Sequence, residues 1–142
     1  ERDAARYVSF YWGGAMIGRF VGSAVLQKLK AGLVLGLAAM AACALVTTSI
    51  LTTGAVAMWS IICVGLFNSI MFPNIFTLGI DGLGKLTGKG SGVLVMALVG
   101  GAIIPIAQGA LADSIGIHTA FTLPVVCYLY IVYYGFRGSR HA

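Results

Sequence analysis

The sequence predicts an all-α membrane protein of five transmembrane helices, and three observations carry that prediction. Hydrophobic residues make up 59% of the 142 residues and charged residues 9%, with a mean hydropathy of +0.97, whereas a soluble domain has about a quarter of its residues charged. The apolar residues fall in five runs, each near the ~20 residues that cross a hydrocarbon core at 1.5 Å rise per residue. The basic residues sit at the edges of those runs and do not interleave with aromatics in a polar stripe. The formal net charge of +5 therefore does not mark a nucleic-acid surface. Runs that are apolar on every side must satisfy their backbone groups internally, which in lipid means helices.

The first run extends from Tyr7 to Gln27. A short basic connection, Lys28 to Ala31, leads to the second, Leu33 to Thr52. Thr52-Thr53-Gly54 turns the chain into the third, Ala55 to Ile80. A polar, glycine-rich loop from Asp81 to Gly90 precedes the fourth, Ser91 to Ala112, and Asp113 to His118 precedes the fifth, Thr119 to Phe136. Residues 1–142 form a single helical bundle on this reading. The chain starts Glu1-Arg2-Asp3 without a methionine, and a fragment of a longer protein is expected. The second and fifth runs, with little polarity beyond hydroxyls, are expected at peripheral, lipid-facing positions.

Orientation follows from Lys28, Lys30, Lys85, Lys89, Arg137 and Arg140, which five crossings bring to one side; only Arg2 and Arg6 dissent, and Glu1 and Asp3 accompany them. By the positive-inside rule that side is the cytoplasm, so the amino terminus lies outside and the carboxyl terminus inside. Tyr128, Tyr130, Tyr133 and Tyr134 precede Arg137 and are expected as an interfacial aromatic belt.

The first, third and fourth runs carry the unusual residues. Gly14, Gly18 and Gly22 recur every four residues and form a flat strip against which another helix packs closely. Arg19 lies more than two turns before Lys28, within the hydrocarbon depth, where an unpaired charge costs a few kcal/mol. Two readings stand: a guanidinium snorkelling to the interface, or a gate or charge pair with Asp81 or with a carboxylate outside this chain. In the third run Pro73 removes a backbone donor and kinks the helix, beside Asn68 and Asn74, which ideal spacing puts on different faces. Asn68 shares a face with Phe72, an amide beside an aromatic ring that suits a sugar; interhelical hydrogen bonding explains either asparagine as well. The fourth run holds Gly100, Gly101, Pro105 and Gln108. Ala97, Gly101, Ile104 and Gln108 share a face, and a kinked helix of this kind either lines a path or simply packs.

Other motifs fail. Gly82 to Ser91 has Leu83 where a phosphate loop needs its first glycine, and Gly90 after Lys89 where it needs Ser or Thr. Cys43, Cys63 and Cys127 lie in separate runs with no metal or redox spacing, and His118 and His141 are isolated. No cofactor or metal is expected. Without paired carboxylates, a nucleophile with its base or a ligand cluster, the chain is not expected to be an enzyme.

Three segments carry a family resemblance: Gly18-Arg19-Phe20-Val21-Gly22; Asn68 through Phe72-Pro73-Asn74 to Ile80; and Gly100-Gly101-Ala102-Ile103-Ile104-Pro105 with Ala112-Asp113. Together they resemble the carboxyl-terminal half of the fucose permease and glucose/galactose transporter family of the major facilitator superfamily. The resemblance covers almost the whole chain, and Phe72-Pro73 to Ile80 is its most specific part. It implies that the five runs are helices eight to twelve of a twelve-helix fold whose two six-helix halves rock around a central sugar site. It further implies a secondary active transporter in a bacterial inner membrane, coupled to an ion, H⁺ being the expected one, for glucose, galactose or fucose. The proton-coupling carboxylates then belong to the missing amino-terminal half, and this piece alone is not competent. The substrate path would involve Asn68, Phe72, Asn74 and Gln108. The alternative function class is a noncatalytic membrane scaffold or channel subunit whose polar residues only join helices.

Overall fold

The computed structural model describes residues 2–138, with side chains from Arg6 onward. Glu1, Arg140 and His141, named above, lie outside the described residues. The helices are α1 (Arg2–Leu26), α2 (Ala31–Leu51), α3 (Ala55–Ile80), α4 (Thr87–Ala97), α5 (Gly100–Ile115), α6 (Ile117–Ala120) and α7 (Thr122–Phe136), with a 3₁₀ turn at Gly84–Leu86. Tight connections need unusual backbone at four of their glycines: Gly54 (φ 68°) reverses the chain between α2 and α3, Gly82 (φ 72°) follows α3, Gly84 (φ 51°) opens the 3₁₀ turn, and Gly116 (φ 88°) separates α5 from α6. Only glycine enters this region without a steric cost.

Four helical stretches are long and apolar enough to cross a membrane: Ala31–Leu51, Ala55–Ile80, Gly84–Ile115 and Ile117–Phe136. The chain is an integral membrane protein. At 25 residues α1 has the length, but Arg19, its glycines and its tyrosines dilute its apolarity. Hydroxyls within the spans turn back onto their own helices, as in Thr47 Oγ1 to the Cys43 carbonyl (2.8 Å) and Ser60 Oγ to the Val56 carbonyl (2.8 Å). They therefore need no partner across the lipid.

The fourth and fifth runs are not the single helices expected. Helix begins at Thr87, whose Oγ1 donates to the Gly84 carbonyl at 2.7 Å, so part of the expected polar loop is helical. At Leu98 and Val99 the ladder tightens to three-residue steps, Leu98 N to Val95 O (3.0 Å) and Gly101 N to Leu98 O (2.8 Å). Gly100 and Gly101 have low helix propensity there, and Pro105 provides no donor for the Gly101 carbonyl. Likewise Pro124 leaves the Ala120 carbonyl without its partner, and the chain breaks at Phe121 between α6 and α7.

Within this chain the second run carries the buried core, beside an exposed apolar stripe of the kind expected of a lipid-facing helix. α2 packs on α3 along one side and α7 along the other, and α1 packs on the far side of α3. Leu35, Ala39 and Ala42 are fully buried. Small residues make this possible: a Cβ on Gly135 would stand 2.6 Å from the Gly36 nitrogen and 2.9 Å from the Gly32 carbonyl oxygen, so α7 crosses α2 backbone to backbone. A helix apolar all round can be core or lipid-facing, and α2 is both, since Leu33, Leu37 and Met40 remain exposed along one stripe.

Candidate functional site in the α1–α3 layer

The α1–α3 crossing is built on the α1 glycine strip. A Cβ on Gly18 would collide with the Leu66 carbonyl and lie 2.6 Å from Ser69 Oγ, and one on Gly22 would lie 2.5 Å from Ile70 Cγ1. Gly14 faces open space, as does Gly101 on α5. The strip therefore holds α3 along only two of its three steps.

Beside that crossing Arg19 lines a groove of about 220 Å³ with Gly22, Ser23, Ser69, Ile70 and Pro73. Pro73 has no N–H for the Ser69 carbonyl, so a helical acceptor is left free where a guanidinium lies near. Arg19 is exposed and pairs with no acid among the described residues, Asp81 included. The geometry corrects the Arg19–Asp81 pairing: Arg19 is level with Ser69 to Pro73, and Asp81 follows α3 eight residues past Pro73, about 12 Å along the axis.

The two asparagines part as helical phase requires. Asn74 is 1% exposed, and its Nδ2 has no hydrogen-bond partner among the described residues. It continues the stripe of Ala57, Ser60, Val64 and Met71, the buried side of α3 that packs on α2. Asn68 is exposed on a different face, in register with Ile61 and Phe72. Ile61 lines a cavity of about 490 Å³ with Tyr7, Tyr11, Ser49, His118 and Phe121. Phe72 lines a second cavity, about 180 Å³, with Ile75, Phe76, Leu94 and Leu98. Asn68 thus stands between two cavities on one open face of α3, and Phe72, 53% exposed, lies one turn on with its ring 6.3 Å from that of Phe76. Gln108 is half-buried on α5 without a hydrogen-bond partner among the described residues, and no bond joins it to Asn68.

Two residues at this face were not anticipated. Tyr11 lies over Gly65, where a Cβ would stand 2.7 Å from its ring. Tyr128 is half-buried and donates its hydroxyl to Asn68 Oδ1 at 3.4 Å, so it is no part of an interfacial belt. The signal was available: nine residues separate it from Arg137, about 13 Å of helix, too deep for an interface.

The apolar helices and the small-residue crossings define an integral membrane helical bundle, and the comparisons show which proteins it is similar to. No family model matches the chain. It is 54% identical over 140 residues to a glucose/galactose transporter of Brucella abortus, covering 99% of this chain and 34% of that protein. It is 34% identical over 138 residues to the L-fucose-proton symporter of Escherichia coli, covering 96% of this chain and 32% of that one. The crystal structure of the Escherichia coli fucose:proton symporter superposes with a TM-score of 0.93 at 33% identity, over 98% of this chain and 34% of the other. The same transporter in its outward conformation gives 0.91 at 32% identity. The chain belongs to the fucose permease and glucose/galactose transporter family of the major facilitator superfamily. It spans about a third of the length of the relatives it matches.

Proposed function

We propose that the chain is the carboxyl-terminal part, helices eight to twelve, of a secondary active sugar transporter that works by alternating access. The carrying observation is the open α3 face, where Asn68 stands between two cavities and Phe72 lines one of them, in a chain 54% identical to a glucose/galactose transporter. Amide and ring are the pair that a sugar needs: hydrogen bonds for hydroxyls and an apolar face for C–H groups. Glucose, galactose or fucose is the substrate class and H⁺ the coupling ion, in keeping with the relatives' names. The assigned membrane is a bacterial inner membrane, with this chain's amino terminus outside and its carboxyl terminus inside; the basic connections at Lys28, Lys30, Lys85 and Lys89, read by the positive-inside rule, support that orientation.

Arg19 completes the proposal as a gate residue. With Asp81 out of reach, its partner is a carboxylate on the amino-terminal half, met when the two halves close. Asn74 and Gln108 are assigned to the path more weakly placed than Asn68: one is buried against α2, the other stands apart on α5.

The test is uptake of labelled galactose, glucose and fucose into proteoliposomes holding the full-length parent, with and without an inward proton gradient. Gradient-dependent uptake is expected for at least one sugar, reduced about tenfold or more in both Arg19→Ala and Asn68→Ala at unchanged melting temperature. Normal uptake by both variants would remove these residues from the mechanism. No uptake of any sugar would leave the scaffold or channel-subunit reading standing.

A further inference from the structure

Tyr128 lies on α7, yet its hydroxyl reaches Asn68 on α3. Its ring is fixed by packing, because Val125, Tyr128, Ile131 and Val132 all lie against the buried core around Leu35, Ala39 and Val64. The phenol tip is the part of this side chain that addresses the open face. A carboxamide offers one oxygen acceptor and one NH₂ donor pair. With Oδ1 taken by Tyr128 at 3.4 Å, the Nδ2 group has no partner among the described residues.

We propose that Tyr128 is a positioning residue that holds the Asn68 carboxamide with its NH₂ group toward the sugar path, so that the site selects a sugar hydroxyl acting as a hydrogen-bond acceptor. This rests on the reading of the α3 face as a substrate path. The reasoning is one of specificity. An amide free to turn offers oxygen or nitrogen alternately and accepts donor and acceptor partners alike. An amide tethered through its oxygen turns that oxygen, with its remaining lone pair, toward Tyr128 and presents its N–H groups to the path, and a sugar lacking the matching oxygen leaves a donor unpaired. At 3.4 Å the tether is long for an O–H···O bond, so it biases the orientation of the amide by a small free energy and leaves overall stability little changed. Phe72, one turn along the same face, supplies the apolar contact that does not depend on the orientation of the amide.

The experiment measures equilibrium binding of galactose, glucose and fucose, then of the monodeoxy and monofluoro analogues of whichever binds best, to the purified full-length parent. In the wild type one deoxy position is expected to weaken binding about fivefold to tenfold, as loss of one hydrogen bond does, and fluorine at that position, a weak acceptor, to recover part of it. In Tyr128→Phe, which keeps the packed ring, that discrimination is expected to fall to about twofold, with the other positions unchanged. Asn68→Leu is expected to abolish it. Full discrimination retained in Tyr128→Phe overturns the positioning role, as does an equal loss at every position, which marks a merely structural defect. Discrimination retained in Asn68→Leu overturns the amide contact itself. A folded parent that binds none of the three sugars overturns the transporter reading and this inference with it, whereas binding without the position-specific change overturns this inference alone.

Discussion

Helices α2 and α5 are alike in composition and opposite in setting. Both are apolar and rich in glycine and alanine, yet α2 carries the buried core of the chain while no residue of α5 is buried. The difference lies in what their glycines face. Gly36 receives the Phe136 ring and the α7 backbone, whereas Gly100, Gly101 and Gly109 have nothing within 4 Å. Hydropathy commits a helix to the membrane, but small residues in register with a neighbour commit it to a bundle.

The largest expected effect tests that contrast directly. Gly135→Leu drives a side chain into the Gly36 and Gly32 backbone, where nothing flexible can give way. Overpacking against side chains costs about 1–3 kcal/mol, and against backbone more, so the full-length parent is expected to lose its monodisperse peak in size-exclusion chromatography. Gly101→Leu is expected to keep that peak and lower the melting temperature slightly, while reducing sugar uptake by crowding the path. Equal collapse of both variants would break the comparison, because the small face of α5 would then be a packed seam with helices outside this chain.

A second, smaller effect separates two steps of one strip. Gly18→Ala meets the Leu66 carbonyl and Ser69 and is expected to destabilise by about 2 kcal/mol. Gly14→Ala meets nothing within 4 Å, and as a helix-interior glycine replaced by alanine it is expected to gain about 0.5–1 kcal/mol. Thermal unfolding of the two variants followed by tryptophan fluorescence measures both signs. A destabilised Gly14→Ala would show that a helix outside this chain uses the upper part of the strip.

The membrane class, the helix order and the separation of Asn68 from Asn74 were legible in the sequence because each depends on local spacing alone. The break at Leu98–Val99 was half legible: Gly100, Gly101 and Pro105 announce a weak ladder, but where it yields depends on which residues have lost their i−4 partners. The core that α2 carries within this chain was not legible, since an all-apolar helix reads the same facing lipid or protein. Tyr128 was missed because tyrosines near a basic terminus match a belt, and only the packing of α7 on α2 shows that its hydroxyl reaches α3. The Arg19–Asp81 pair failed for the converse reason: two opposite charges in one sequence say nothing of the axial distance between them.

The smallest expected effect concerns Asn74, whose environment differs from that of Asn68 as α2 differs from α5. Its Nδ2 is buried without a partner among the described residues, a state that costs about 1–3 kcal/mol of desolvation. Replacing such a group with an apolar one of similar shape removes that cost, so Asn74→Leu is expected to be neutral or to stabilise the full-length parent by about 1 kcal/mol. The same change at Asn68, on the open face, is expected to leave stability within about 0.5 kcal/mol and to act on sugar binding instead. Melting temperature and sugar affinity measured on both variants divide the possibilities. A fall in stability for Asn74→Leu would mean that the complete transporter supplies the missing acceptor, and a fall in affinity would move Asn74 onto the substrate path despite its burial against α2. A stabilised variant with unchanged affinity would make the orphan amide a cost the fold carries without return in binding, and would confine the polar work of α3 to the face where Asn68 and Phe72 stand.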